Sequence, residues 1–501
     1  MLTLSAAFNL INSAFATNAA QSAVVARNVS NVDVTGYSRE VANLVTNSMG
    51  GADVQSVTRV ANAALADQVL TSTSAAASEQ AISDGLSTLA QTVNESASSS
   101  SVSGANSNGR SPSAMLANLQ NALQTYEASP SNTSSGQAVV TAADSLASSL
   151  NSASTTVEQV REQADSNMAT AVAQINSLLG QFQTANAQVV SGLQTNANVA
   201  SAEDQRDQIL TQLSQQIGIS TTTNPDGSMS IYTDSGVTLF QDTPRTLSFS
   251  PSSTLPAGSS GSPVMVDGVP ITGPSAPMAT QSGALAGLAA LRDNIAPQYQ
   301  AQLDQIAGGL IQAFAESDQS PTPTQPNLPG LFTFPGATGV PSLGSASGLA
   351  AVIEVNPNVD PSQGGNVNLL RDGGIASNGA APYVYNTTGD ADYTGRIQML
   401  IDGTGAVQSF DPTAGLGASL SLSDYANASV SWLQGQNQQA SNQASYQQAL
   451  ASQASSALSS ATGVNLDQEL NNMLNIENSY QTTAKLLTTA NDMFQALLNG
   501  V

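Results

Sequence analysis

The chain has 501 residues, enough for about three domains and a sizeable buried core. Charged side chains are 9% of it, 35 acidic against 11 basic, and a net charge of −24 repels phosphate backbones and anionic lipid, which argues against nucleic acid and acidic membranes as partners. Cysteine and histidine are absent, and disulfides, thiol nucleophiles, imidazole bases and the ligands of most zinc, haem and iron–sulfur sites are absent with them.

No charged region precedes an apolar core ahead of Arg27, and no run approaches about 18 uninterrupted apolar residues, so neither a cleaved secretory signal nor a spanning helix is expected. All 21 prolines fall between Pro112 and Pro412, 19 of them from Pro225 onward. Because proline breaks helix interiors, this predicts helical ends around a middle of strands and loops.

In chain order, residues 1–35 form a first helix. Leu4, Phe8, Ile11, Phe15, Asn18, Ser22, Val25, Val29 and Val32 alternate spacings of four and three, the seam of a helix that packs on another helix. Residues 36–220 read as the first part of a helical domain, with a Ser-rich loop at 96–113 and two helices over about 135–218. The turn Asn224-Pro225-Asp226-Gly227 and the β-formers of Ser228–Phe240, Leu247–Ser250 and Val264–Ile271 predict a small outer β domain at 221–280.

Residues 281–316 return to helix. Residues 317–395, with four prolines from Pro321 to Pro329, read as irregular with short strands such as Val352–Val355. Residues 396–462 complete the helical domain. The last helix, 463–501, carries a second seam, Leu466, Leu470, Met473, Glu477, Tyr480, Ala484, Leu487, Asn491, Phe494 and Leu498, behind a capping box of Asn465 and Gln468. The fold class is mainly α with a β-rich middle, its long terminal helices paired as in a coiled coil.

Chemistry-bearing motifs are weak. Asn31-Val-Asp33-Val-Thr35-Gly36 opens like a calcium loop, yet Ala42 stands where the bidentate Glu is needed, so it reads as a turn. Asp390 and Asp392 read as a solvated loop. Asp204, Asp207 and Asp293 sit beside Arg206 and Arg292 as ion pairs or exposed faces, and one Trp offers a sugar ring little to stack on, which leaves a wall-degrading enzyme without support. Lys485, three residues after Thr482, reads as a surface lysine, and no phosphate-cradling glycine loop occurs. No cofactor, metal or catalytic residue is expected. What remains is a pair of terminal seams interrupted by Asn18, Ser22, Glu477 and Asn491, which weakens a self-contained pair and suits packing completed by neighbours.

Asn28-Val-Ser-Asn31 leading to Gly36-Tyr37-Ser-Arg39 resembles the signature that ends the first helix of the flagellar axial proteins, with Val34-Thr35 where many members have Thr-Pro. Val464–Glu469, Glu477–Gln481 and Ala484–Ala490 resemble that family's closing helix, while Asp204–Gly218, Leu288–Ile295 and Asp424–Leu433 resemble helices of its hook-associated branch. The resemblance implies a structural subunit of a homo-oligomeric layer joining hook to filament, with hook protein below and the next hook-associated junction protein above. It also implies type III export without a cleaved signal, a chaperone on the C-terminal helix, and an extracellular place on the flagellum. On that reading Leu4, Phe8, Ile11, Phe15, Val25, Leu470, Tyr480, Leu487, Phe494 and Leu498 are lattice contacts, and Gly36, Tyr37 and Arg39 form the turn out of the first helix. A hook or distal-rod protein of the same family is the nearest alternative, and a secreted adhesin is one from another class.

Overall fold

A computed structural model describes residues 4–48, 50–93, 111–345 and 347–499. Helix α1 (Leu4–Ser30) leads into a hairpin of β1 (Glu40–Thr46) and β2 (Ala52–Arg59), followed by α2 (Ala63–Ala90), α3 (Pro112–Glu127), the 62-residue α4 (Thr133–Gln194) and α5 (Ala200–Gln216). The hairpin corrects the helical reading of 36–220. It pairs Glu40 with Arg59 and Thr46 with Ala52 around a bulge at Asn43/Leu44, and its Val-rich strands turn at the Gly50-Gly51 pair. The expected loop at 96–113 lies outside the described residues up to 110. Pro112 then opens α3 behind the Ser111 cap.

The outer β region is a four-stranded antiparallel sheet of β3 (Ile219–Thr223), β4 (Met229–Thr233), β5 (Thr238–Gln241) and β6 (Thr243–Pro244), with a three-stranded one of β7 (Leu247–Ser248), β8 (Met265–Val266) and β9 (Val269–Pro270). The chain re-enters helix through α6 (Ala284–Ala290), one π-helical turn at Leu291–Ile295, and α7 (Ala296–Ala313). Only Gly fits at 287, where a Cβ would lie 2.2 Å from the Ser78 carbonyl oxygen of α2.

Residues 317–395 hold β10 (Phe332–Thr333), α8 (Leu349–Val352), β11 (Glu354–Val355) and α9 (Leu369–Asp372). Val352 therefore ends a helical turn, and the strand expected from it begins two residues later. Helix α10 (Gly395–Gly405) and a short hairpin of β12 (Val407–Ser409) and β13 (Ser419–Ser421), absent from the helical reading of 396–462, precede α11 (Leu422–Thr462) and α12 (Leu466–Asn499). Ser421 caps α11, its Oγ accepting from the Asp424 amide at 3.1 Å and donating to the Asp424 carboxylate at 2.7 Å.

One continuous apolar core runs from Leu70 to Ala440 and is built on α4, whose buried stripe includes Leu146, Leu150, Val157, Ile175, Leu179 and Phe182. Helices α2 and α11 pack closely and antiparallel, Ser87 meeting Asn437, through small residues such as Ala76, Ser83, Ala444, Ala451 and Ala454. With few ladders in 317–395, buried carboxylates accept its backbone amides instead. Asp304 takes Gly348 and Ala350 at 2.8 and 2.9 Å, and Glu316 takes Ala376 at 2.9 Å.

The outer loops are bolted to α4 by two buried arginines. Arg161 donates to the carbonyls of Arg292, Leu255, Pro256 and Ser259, while Arg292 pairs with Asp165 and Asp293 and donates to the Ser262 carbonyl. The acids flanked by arginine in sequence are thus paired, though Asp204 and Asp207 reach Arg59 rather than the adjacent Arg206.

Arg161→Met should remove the guanidinium donor from the carbonyls of Arg292, Leu255 and Ser259, while the Pro256 carbonyl keeps Ser259 as a donor, and lower stability by about 2–4 kcal/mol in thermal melting, with Arg161→Lys restoring only part, since an ammonium cannot reproduce the planar fork. Burial pushes the Asp304 carboxyl up to about 6, so the fold binds this proton more tightly than the unfolded chain does. Its contribution is complete below the unfolded value near 4 and is lost as pH rises through about 6. Urea midpoints measured across that window should fall less in Asp304→Asn than in the unsubstituted protein.

Candidate assembly site at the terminal helices

Asn28, fully buried near the end of α1, makes both of its amide groups serve as a strand edge. Its Nδ2 donates to the Glu40 carbonyl and its Oδ1 accepts from the Glu40 amide, each at 2.9 Å, and Oδ1 also accepts from the Tyr37 hydroxyl at 2.9 Å. Arg27 grips the Glu40 carboxylate through Nε and Nη2 at 2.9 and 2.7 Å. Burial, with the negative charges of Glu40 and Asp204, pushes the Tyr37 hydroxyl up to about 12, which keeps it a donor to Asn28.

Asn31 to Gly36 is a turn, closed where the Asn31 side chain donates to the Arg27 carbonyl at 2.9 Å. Gly36 has φ +81°, a conformation that calls for glycine, and a Cβ there would press on the Gln208 side chain at 3.0 Å. The Arg39 amide donates to the Thr462 carbonyl at 2.8 Å, its carbonyl accepts from Val60 at 2.8 Å, and its guanidinium lies 3.9 Å from Glu469. Of the three turn residues named from sequence, Tyr37 meets Asn28 and Arg39 meets Glu469, while Gly36 lies against Gln208 of α5. The pairing of Asn28 with Glu40 was not readable beforehand, because the strand that carries Glu40 was read as helix.

Helices α1 and α12 pair antiparallel. Phe15 and Tyr480 meet edge to face at 5.0 Å, Ser479 donates to Asn18 at 3.1 Å, and Val24 and Val25 share a 290 Å³ pocket with Asn472, Asn475 and Ile476. On α1, Ile11, Asn18 and Val25 are buried and Phe8 and Phe15 half-buried; the side chain of Leu4 lies outside the described ones.

On α12 the buried residues are Glu469, Thr483 and Ala490, with Asn472 and Ile476 half-buried. The apolar seam read from sequence begins one residue further on, about 100° round the helix. Leu470, Tyr480, Leu487, Phe494 and Leu498 accordingly stand 52%, 51%, 36%, 41% and 61% exposed, with Leu466, Met473 and Met493 exposed as well. Tyr480 reaches back to a ring of α1. The Asn465 side chain accepts from the Gln468 amide at 3.1 Å, half of the expected capping box.

Among the described residues, no three His, Cys, Asp or Glu side chains gather to hold a metal, and no helix is long and apolar enough to cross a membrane. A groove of about 1160 Å³ between α2, α4 and α11 is lined mainly by Ala, Gln, Thr and Ser, with Asp84 the one carboxylate on its walls, so it offers no pair of acids for glycoside chemistry.

A family model of the flagellar hook-associated protein FlgK helical domain matches residues 103–322, and one of the flagellar basal body rod FlgEFG protein C-terminal region matches residues 455–500. The proteins named flagellar hook-associated protein 1 in Salmonella typhimurium and Salmonella typhi are each 27% identical to the chain over 326 residues, covering 61% of it and 56% of the relative. The match thus spans about half the length of these curated relatives. Among solved structures, the flagellar hook junction protein FlgK of Burkholderia pseudomallei is 23% identical with a TM-score of 0.40, covering 54% of this chain and 46% of that one.

Asn28→Asp keeps the acceptor, removes the donor to the Glu40 carbonyl and sets a carboxylate beside the Glu40 backbone. Hydrogen exchange should speed up in β1 and the end of α1, by a local destabilisation of about 2–3 kcal/mol, while amides of α4 stay protected.

Proposed function

Because the chain belongs to the flagellar axial proteins, with a helical domain of the hook-associated protein 1 kind, we propose that it forms the junction layer between flagellar hook and filament. The observation that carries the reading is the row of large apolar side chains left open along α12. A helix of 34 residues that covers its partner with Glu469, Thr483 and Ala490 and turns Leu470, Leu487, Phe494 and Leu498 outward is built for a neighbour. Repeated around a closed ring, that face makes a homo-oligomeric layer, and the interrupted seams make it dependent on the ring.

On this reading hook protein lies below the layer, the next hook-associated junction protein above it, and an export chaperone covers the C-terminal helix until assembly. Phe8, Phe15 and the α12 row form the lattice contacts. The chain leaves the cell through the flagellar type III channel, threaded unfolded, which suits a chain without cysteine. Its role is mechanical rather than enzymatic.

Leu487→Asp with Phe494→Asp tests the proposal. Two carboxylates in a dry contact cost several kcal/mol per subunit, multiplied round the ring, while the apolar core from Leu70 to Ala440 contains neither residue. Cells carrying the double variant should build hooks, export filament protein and lose it to the medium. Normal filaments would remove α12 as the assembly element.

A further inference from the structure

Residues 317–327 form a loop with a fixed neck and an open tip. At its base Glu316 and Leu328 exchange backbone hydrogen bonds at 2.9 Å in both directions. Above them the buried Asp318 carboxylate accepts the amides of Ser320, Thr324 and Gln325 at 2.8, 2.8 and 3.0 Å, and it takes the Ser320 hydroxyl as well. The Gln319 amide donates to the Pro382 carbonyl and the Tyr383 hydroxyl to the Pro326 carbonyl, each at 2.8 Å, which ties both flanks to the neighbouring loop. Beyond these ties Pro321-Thr-Pro-Thr-Gln-Pro-Asn327 is exposed at every residue.

The tip presents two hydroxyls, those of Thr322 and Thr324, in a state that exposed hydroxyls of the long helices do not share. Thr141 and Thr155 on α4 and Ser445 on α11 are exposed, yet each donates to the carbonyl four residues back. Among the described residues the Thr322 and Thr324 hydroxyls have no hydrogen-bond partner; Thr322 is engaged through its carbonyl, by Ser320 at 3.3 Å. Thr322 stands between Pro321 and Pro323, which bring no N–H to compete for its oxygen and disfavour helical backbone around it. Residues 319–353 carry no charged side chain, and the nearby Asp318 is saturated by its own loop.

We propose that Thr322 and Thr324 are O-glycosylation sites, the acceptors of a sugar carried as a diphosphate ester. In the step the threonine Oγ1 attacks the anomeric carbon, and the bond from that carbon to the phosphate oxygen breaks. The diphosphate leaves with the electron pair, and the hydroxyl proton passes to a base of the transferase; nothing is oxidised or reduced. Threonine interleaved with proline is the composition of O-glycosylated segments. The structure adds that both hydroxyls are already free and outward of the neck, so a transferase reaches them on the folded chain. A sugar there adds hydration to a surface that has few charges of its own. The proposal stands on this loop and is independent of the junction reading.

Mass spectrometry of the full-length protein, purified from the cells that make it, tests the proposal. The intact mass should exceed that of the bare chain by one or more sugar residues, and electron-transfer fragmentation should place them on Thr322, Thr324 or both. In Thr322→Val with Thr324→Val the increment should be lost while thermal melting stays unchanged, because both residues are exposed and the backbone ties to Asp318 are kept. A bare mass, a phosphate increment, sugar mapped only to other residues, or an increment that survives in the double variant overturns the proposal. If the double variant does not accumulate, the fragmentation map of the unsubstituted chain decides alone, with both threonines unmodified as the overturning result.

Discussion

The terminal architecture depends on one side chain, the Asn28 amide, taking both backbone groups of Glu40. An isolated two-stranded hairpin is marginal in water, and this one has free edges and exposes Leu44 and Val45. Asn28 supplies the missing neighbour at its first residue, presenting a donor and an acceptor at the spacing of a peptide group. Once Glu40 is fixed to α1, Arg39 must lie between Val60 and Thr462, and the start of α12 follows, since Glu469 comes beside Arg39. The same carboxamide holds the Tyr37 hydroxyl and so ties the turn to the helix it leaves. Aspartate cannot do both tasks, and a longer glutamine would not place both groups against one residue.

The helices were legible in the sequence wherever apolar residues recur at helical spacing and proline is absent. Helices α1, α4, α5, α11 and α12 each fall where those patterns put them. The β1–β2 hairpin was not legible by that route, because absence of proline permits helix without requiring it. Val41, Val45, Val54 and Val57, with the Gly50-Gly51 pair between the strands, were the available signal.

On α12 the heptad pattern located the apolar row correctly but not the face that meets α1. Apolar spacing marks where large side chains line up; whether they meet the same chain or another is set by tertiary packing. Here α1 packs over the narrower line of Glu469, Ile476, Thr483 and Ala490. The Gly36-Tyr37-Ser-Arg39 run was readable as a turn, whereas its partners on α5 lie about 170 residues away and leave no local trace.

The charge of the chain explains where its few cations are placed. Of the 11 basic residues one is lysine, Lys485 on the exposed side of α12, and the other ten are arginine. Arg161 satisfies four backbone carbonyls, Arg292 bridges Asp165 and Asp293, Arg59 gathers three carboxylates, Arg371 grips Asp372, and Arg396 lies over the Tyr385 ring while donating to the Ala315 carbonyl. Each task needs several donors held in one plane, which guanidinium supplies and ammonium does not. A surface of amides and hydroxyls needs no cations for solubility at a net charge of −24, so nearly every cation is free to serve as a joint between segments. The consequence is a division of labour: apolar packing makes the body rigid, and arginine sets how the outer loops and the β1–β2 hairpin are attached to it.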